Sequence, residues 1–250
     1  MGIFIKNESQ IAVMRHASRI CANVHDLLAR HIKPGVTTGE LDKIAHDYIV
    51  GQGAKPTFLG YRGFPATTCI SVNNEVIHGI PGIRRLKNGD IVSIDIGVCY
   101  KQFHGDAART HPVGEVSEQN GKLIKATEQA FFESVKYAKA GFRLHDLSAA
   151  IEDYIDTKGF SIVEEWCGHG IGRQLHEDPQ IPNTRQNTRG PRLGRGMTLA
   201  IEPMVTTGLG STVTSRDTWT VVTKDGGCSA HYENTVLITD GEPDILTLRG

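Results

Sequence analysis

Between residues 8 and 31, apolar side chains recur three and four apart (Ile11, Met14, Ile20, Val24, Leu27, Leu28), which predicts an amphipathic helix with Pro34-Gly35 beyond its end. Thr37 and Glu40 have the spacing of a capping box and open a second helix to about Val50, stopped by Gly51 and Gly53. The helical period then stops. Residues 57–65 read as an aromatic loop, Thr67 to Val72 as a strand, Asn73-Asn74 as a break and Glu75 to His78 as its resumption. Asp90 to Val98 is a mostly apolar β-run, and a partner strand should return through Asp106 to Val113. A hairpin turning midway between Asp95 and Asp106, at Tyr100-Lys101, would set these carboxylates directly opposite each other on one face. Helices over 118–139 and 144–158 follow, bounded by Gly141 and Gly159, and the remainder is β-rich with a polar loop over 182–196.

The pattern repeats. Gly89 precedes Asp95 in Gly-Asp-Ile-Val-Ser-Ile-Asp as Gly196 precedes Glu202 in Gly-Met-Thr-Leu-Ala-Ile-Glu. Each β-run ends on a carboxylate after two helices, and a second carboxylate, Asp106 or Glu233, follows on a later strand. This predicts two related α/β halves joined near residues 112–118, with the site on a pseudo-two-fold axis.

Composition narrows the function. With 250 residues, 39% hydrophobic and 22% charged, the chain has ample material for a core, and a net charge of −1 gives no basic excess to attract nucleic acid. Five cysteines, odd in number and without a Cys-x-x-Cys pair, argue against a disulfide framework and for a reducing cytoplasm. No apolar run approaches the ~20 residues of a membrane span, and the N-terminus lacks an apolar signal core.

Five metal-type ligands remain, each in a stretch that reads as a strand or strand edge: Asp95, Asp106, His169, Glu202 and Glu233. Four carboxylates and one imidazole are too hard a set for a zinc-finger-like site and suit two adjacent divalent ions sharing bridging carboxylates. Asp95 lies inside Ile-Val-Ser-Ile-Asp-Ile-Gly-Val, where an unpaired carboxylate would be costly to bury. The glycines flanking His169 are expected to let backbone approach a ligand closely. The set points to metal-assisted hydrolysis.

The motifs Cys69-Ile-Ser-Val-Asn, His78-Gly-Ile-Pro, His104-Gly-Asp106, Gly168-His169-Gly-Ile-Gly, His176-Glu-Asp-Pro-Gln, Ile201-Glu202-Pro and Tyr232-Glu233 resemble those of the type I methionine aminopeptidases over nearly the whole chain. The resemblance implies an α+β pita-bread (creatinase/aminopeptidase) fold with an antiparallel sheet core, in one catalytic domain over residues 1–250. It implies two divalent ions (Co, Mn, Fe or Zn), with Asp95 bidentate on one, His169 and Glu202 on the other, and Asp106 and Glu233 bridging. Glu202 would also accept the proton of the nucleophile. His176 would stabilise the oxyanion and His78 contact the substrate amide near the leaving group. Phe58, Tyr61, Phe64, Cys69, Leu175 and Trp219 fall at the positions of the methionine pocket. Expected partners are N-terminal methionine peptides and nascent chains, with transient ribosome contact, no nucleic acid, no membrane and a monomeric state. The same fold hosts prolidases and X-Pro aminopeptidases, which usually carry an extra N-terminal domain; only ~90 residues precede Asp95 here. A non-catalytic scaffold protein would be expected to have lost ligands, and all five are present.

Overall fold

A computed structural model describes residues 2–248; Met1, Arg249 and Gly250, which the expected domain bounds include, lie outside the described residues. Helix α1 (Glu8–Ala29) starts where Asn7 and Gln10 cap each other's backbone N–H groups, and α2 (Thr38–Gly51) starts on the reciprocal Thr37–Glu40 box. The predicted apolar face of α1 is buried, except that Leu27 is only half-buried. Helices α3 (Glu118–Val135) and α4 (Leu144–Asp156) follow. α3 stops short of its predicted end because Lys139 bridges to Thr239 and the Ala140 N–H donates to the Thr239 carbonyl.

Strands β1 (Lys55–Pro56), β2 (Cys69–Val72), β3 (Glu75–Ile77), β4 (Ile91–Tyr100) and β5 (Phe103–Pro112) precede α3. After α4 come β6 (Ser161–Ile162), β7 (Cys167–Gly170), β8 (Glu177–Pro182), β9 (Thr198–Ile201), β10 (Met204–Thr206), β11 (Thr212–Thr214), β12 (Val221–Thr223), β13 (Ser229–His231), β14 (Glu233–Leu237) and β15 (Asp244–Ile245). The main antiparallel sheet runs β1-β4-β5-β14-β9-β7-β8, with β2 also on β4 and β15 on β14; two three-stranded sheets, β13-β10-β6 and β11-β12-β3, flank it.

Each half repeats one order of elements: α1, α2, β2, β4, β5, then α3, α4, β7, β9, β14. The halves meet where β5 pairs β14. Alternation along the strands separates two faces. Val92, Ile94, Ile96 and Val98 share an apolar cluster with α1 and α2, and Leu199, Ile201, Val236 and Ile238 share another with α3 and α4. The intervening residues point to the other face, where the candidate ligands lie.

The hairpin differs from expectation by one residue. Tyr100 pairs with Phe103, so the turn is Lys101-Gln102, both at positive φ as a two-residue I′ turn requires. Asp95 therefore opposes Ala108, and Asp106 opposes Gly97. The carboxylates are diagonal, not opposite, but still on one face.

Side chains staple the seam between the halves. The Thr235 hydroxyl accepts from the Asp106 N–H and donates to the Asp106 carbonyl, both at 2.9 Å. The Arg109 guanidinium donates to the carbonyls of Ala108 and Glu233 and to Asn234 Oδ1, and it lies 4.3 Å from the Tyr232 ring centroid. Arg109→Ala should cost about 3 kcal/mol, since it leaves several acceptors unpaired and removes cation–ring packing. Arg109→Lys should recover only part, because one ammonium does not reproduce the planar fork. Urea denaturation decides the matter; an unchanged midpoint for the alanine variant would contradict this role for the clamp.

Candidate metal centre

The strand register assembles the candidate ligands. Asp95, Ala108 and Glu233 form one row across β4, β5 and β14. Ala200 opposes both Thr235 and His169, carrying the next row outward to β7. Asp106 lies two residues before Ala108, on the same face, and opposite Gly97. Small side chains at Gly97, Ala108 and Ala200 leave room above the sheet. A Cβ on Gly97 would lie 2.7 Å from Phe58 Cε1, so this glycine lets the aromatic loop close down on the sheet.

Glu202 and Glu233 sit at two corners. The chain leaves the main sheet after Ile201 for β10 and returns from β13 at Glu233. The Tyr232 N–H donates to the Pro203 carbonyl at 3.2 Å, tying exit and return together. Asp106, His169 and Glu233 are buried at 3%, 7% and 2% exposure, and the Glu202 side chain is 12% exposed.

Among the described residues, Asp95 Oδ1, Asp106 Oδ1 and Glu233 Oε1 are buried without a hydrogen-bond partner. Buried acceptors are ordinarily satisfied, so this orphaned set is what a cation site would leave. Ligand atoms of Asp106, His169 and Glu233 lie within 4.8 Å of one another, as do those of Asp95, His231 and Glu233. Burial pushes the Asp95 carboxyl up to about 7 and that of Glu202 up to about 8. Burial, reinforced by the neighbouring carboxylates, holds Asp106 and Glu233 well above the usual range. The residues fit divalent cations, which would replace the protons these groups otherwise retain.

The geometry of His169 suits a metal ligand. Its Nδ1 lies 2.9 Å from the Gly170 carbonyl, which requires the proton on Nδ1 and leaves the Nε2 lone pair free toward the site. Burial and the nearby His176 push its pKa down to about 3, so the ring stays neutral. Its glycine neighbours serve a different purpose from the expected one. A Cβ at Gly168 would meet the Ala200 carbonyl at 2.4 Å and one at Gly170 the Asp178 carbonyl at 2.1 Å. They admit the flanking backbone of β9 and the β8 segment.

A cavity of about 660 Å³ opens over the five candidate ligands. It is also lined by His78, His176 and all six pocket residues expected from the sequence. Phe64 and Trp219 meet edge to face at 5.2 Å, and Leu175 packs in the same apolar cluster. The Tyr61 hydroxyl lies 2.9 Å from His176 Nδ1, and the His176 and His169 rings are 4.3 Å apart. A buried Lys6–Glu177 ion pair of 2.7 Å ties the N-terminal segment to the residue after His176. His78 has φ 59°, an uncommon conformation for a non-glycine residue, and its ring contacts Trp166 at 5.3 Å. Burial pushes the His78 pKa down to about 4.

Two neighbours escape the sequence reading. Trp166 precedes the Gly-His-Gly stretch and was hidden by its lack of pattern. His231 had a legible signal, since it lies two residues before Glu233 in Ser-Ala-His-Tyr-Glu, the spacing that places two strand side chains on one face.

Comparison with known proteins agrees with this geometry. The methionine aminopeptidase of Clostridium perfringens is 54% identical over 246 residues, covering 98% of this chain and 99% of that protein. The crystal structure of methionine aminopeptidase from Thermotoga maritima superposes with a TM-score of 0.97 at 41% identity, over 99% of this chain and all of that one. The prolidase from Pyrococcus furiosus shares the fold, with a TM-score of 0.81 at 24% identity, but this chain spans 66% of its length. The profile of metallopeptidase family M24 matches residues 12–240, and the chain belongs to that family, with its pita-bread fold and its divalent-metal-dependent peptide hydrolysis.

Proposed function

We propose that the protein is a methionyl aminopeptidase that removes the N-terminal methionine of peptides and nascent chains whose second residue is small. One observation carries this reading: four carboxylates and one imidazole converge beside an apolar pocket, in a chain 54% identical to a methionine aminopeptidase. Residues 1–250 are taken as one catalytic domain, monomeric and cytoplasmic. No helix among the described residues is long and apolar enough to cross a membrane. The prolidase alternative is not favoured, because the likeness to a prolidase extends only to the fold.

In this reading Asp95 would hold one ion, His169 and Glu202 would hold a second, and Asp106 and Glu233 would be shared between them. Bound divalent ions, whether Co, Mn, Fe or Zn, supply Lewis-acid polarisation of the scissile carbonyl and lower the pKa of the attacking water. Glu202 would be the residue to accept the proton of the nucleophile. A Tyr61 hydroxyl donating to His176 Nδ1, 2.9 Å away, would leave the ring proton on Nε2, the tautomer able to donate to an oxyanion. His78 contacts the amide near the leaving group, its ring kept neutral by burial. Phe58, Tyr61, Phe64, Cys69, Leu175 and Trp219 receive the methionine, whose unbranched thioether gains from aromatic contact.

A peptide panel tests this. Met-Gly, Met-Ala and Met-Ser peptides should be cleaved, while Met-Lys and Met-Phe peptides should resist, because the second residue must pass close to the metal centre. Efficient cleavage of Met-Phe, or a preference for Pro-containing dipeptides, would overturn the assignment.

A further inference from the structure

His231 stands against the metal centre with no function yet assigned. Its backbone is pinned to the seam, the N–H donating to the Thr110 hydroxyl and the carbonyl accepting from it, both at 2.9 Å. Its side chain is 2% exposed, and its Nε2 is buried without a hydrogen-bond partner. The nearest carboxylate oxygens are Glu202 Oε2 at 3.4 Å and Glu233 Oε2 at 3.7 Å. On its other side, Glu202 Oε1 lies 3.6 Å from His169 Nε2. Glu202 is thus held between two imidazoles, one at each oxygen.

Glu202 needs such support. It lies just past the end of β9, where the ladder no longer holds the chain, and its carbonyl is secured by the Asn183 side chain at 3.0 Å. Its carboxylate must stay aimed if it is both to ligate an ion and to accept a proton. Resting on the two-ion aminopeptidase reading above, we propose that His231 is a positioning residue whose Nε2–H donates to Glu202 Oε2 and fixes the carboxylate between the metal centre and the substrate. Closing 3.4 Å to the length of a good hydrogen bond takes a shift of a few tenths of an ångström. The ion-ligand alternative requires a free Nε2 lone pair, as at His169. It would also add a neutral donor to four carboxylates that already balance two divalent charges.

The test uses the metal-loaded enzyme and the variants His231→Ala and His231→Gln. Loss of an outer hydrogen-bond partner typically costs about 10–100-fold in activity or metal affinity. His231→Ala should lose kcat by that amount with KM within about twofold and two ions still bound by metal analysis. His231→Gln, whose amide N–H can take the place of Nε2–H, should restore most of the loss, and its Co(II)-loaded absorption spectrum should match the wild type. Wild-type kcat in His231→Ala would overturn the proposal. So would loss of one ion from both variants, which would make His231 a ligand. If His231→Ala does not fold, His231→Gln alone decides, since a ligand role predicts a missing ion and an altered spectrum there. If the wild type binds ions but cleaves no methionyl peptide, the functional reading fails separately. The donor role then stands or falls on calorimetric ion affinity, which should be weakened in His231→Ala and restored in His231→Gln.

Discussion

Exhaustive chelation should abolish cleavage of a Met-Ala-Ser peptide, and divalent add-back should restore it. The reason is electrostatic. Two like charges about 4 Å apart repel by about 1 kcal/mol in water and about 4 kcal/mol at an effective dielectric of 20, and here four carboxylates crowd one buried site. Without cations they hold protons instead, with Asp95 titrating at about 7 and Glu202 at about 8. Folded-state values raised above the ordinary carboxylate range mean that the metal-free fold is favoured at low pH and loses stability as pH rises from about 4 toward 8. Divalent ions cancel that loss. The gain in Tm on metal loading should therefore be larger at pH 8 than at pH 6. Asp106→Asn, at a proposed bridging position, should weaken both ion positions together. Full turnover in metal-free protein, or a Tm gain that shrinks with rising pH, would overturn the account.

His176→Ala should lower kcat by about 100–1,000-fold while leaving the ion content intact, the loss expected when an oxyanion donor is removed. The assignment depends on position. His176 lies beside the proposed ligand His169, and the Tyr61 hydroxyl contacts its Nδ1, which leaves Nε2 as the ring nitrogen available to a substrate. Tyr61→Phe should give a smaller fall in kcat, because the ring remains but its tautomer is no longer enforced. His78→Ala should also reduce kcat with both ions retained. If His176→Ala lost an ion, the division between ligands and donors would be wrong, and metal analysis of the purified variant would show it.

The five proposed ligands were legible as a set, and two of them break a local rule. A carboxylate inside the apolar run at Asp95, and another ending the run at Glu202, demand compensation that a linear chain already announces. The helices were legible from their period and caps, and the two-half architecture from the repeated run leading to Asp95 and Glu202. Tertiary structure decided what depends on register and on distant backbone. The turn at Lys101-Gln102 made the Asp95–Asp106 relation diagonal, because a hairpin with neither Gly nor Asn at its turn has no local signal to centre it. Thr239, a hundred residues away, ended α3 early. The glycines around His169 answered to the carbonyls of Ala200 and Asp178, partners no spacing rule identifies. His231 reached Glu202 only because the chain leaves one sheet at Pro203 and returns at Tyr232. Composition and period are local properties and can be read along the chain; which side chains share a cavity is set by strand register and sheet crossing, and those are fixed only when the whole core packs.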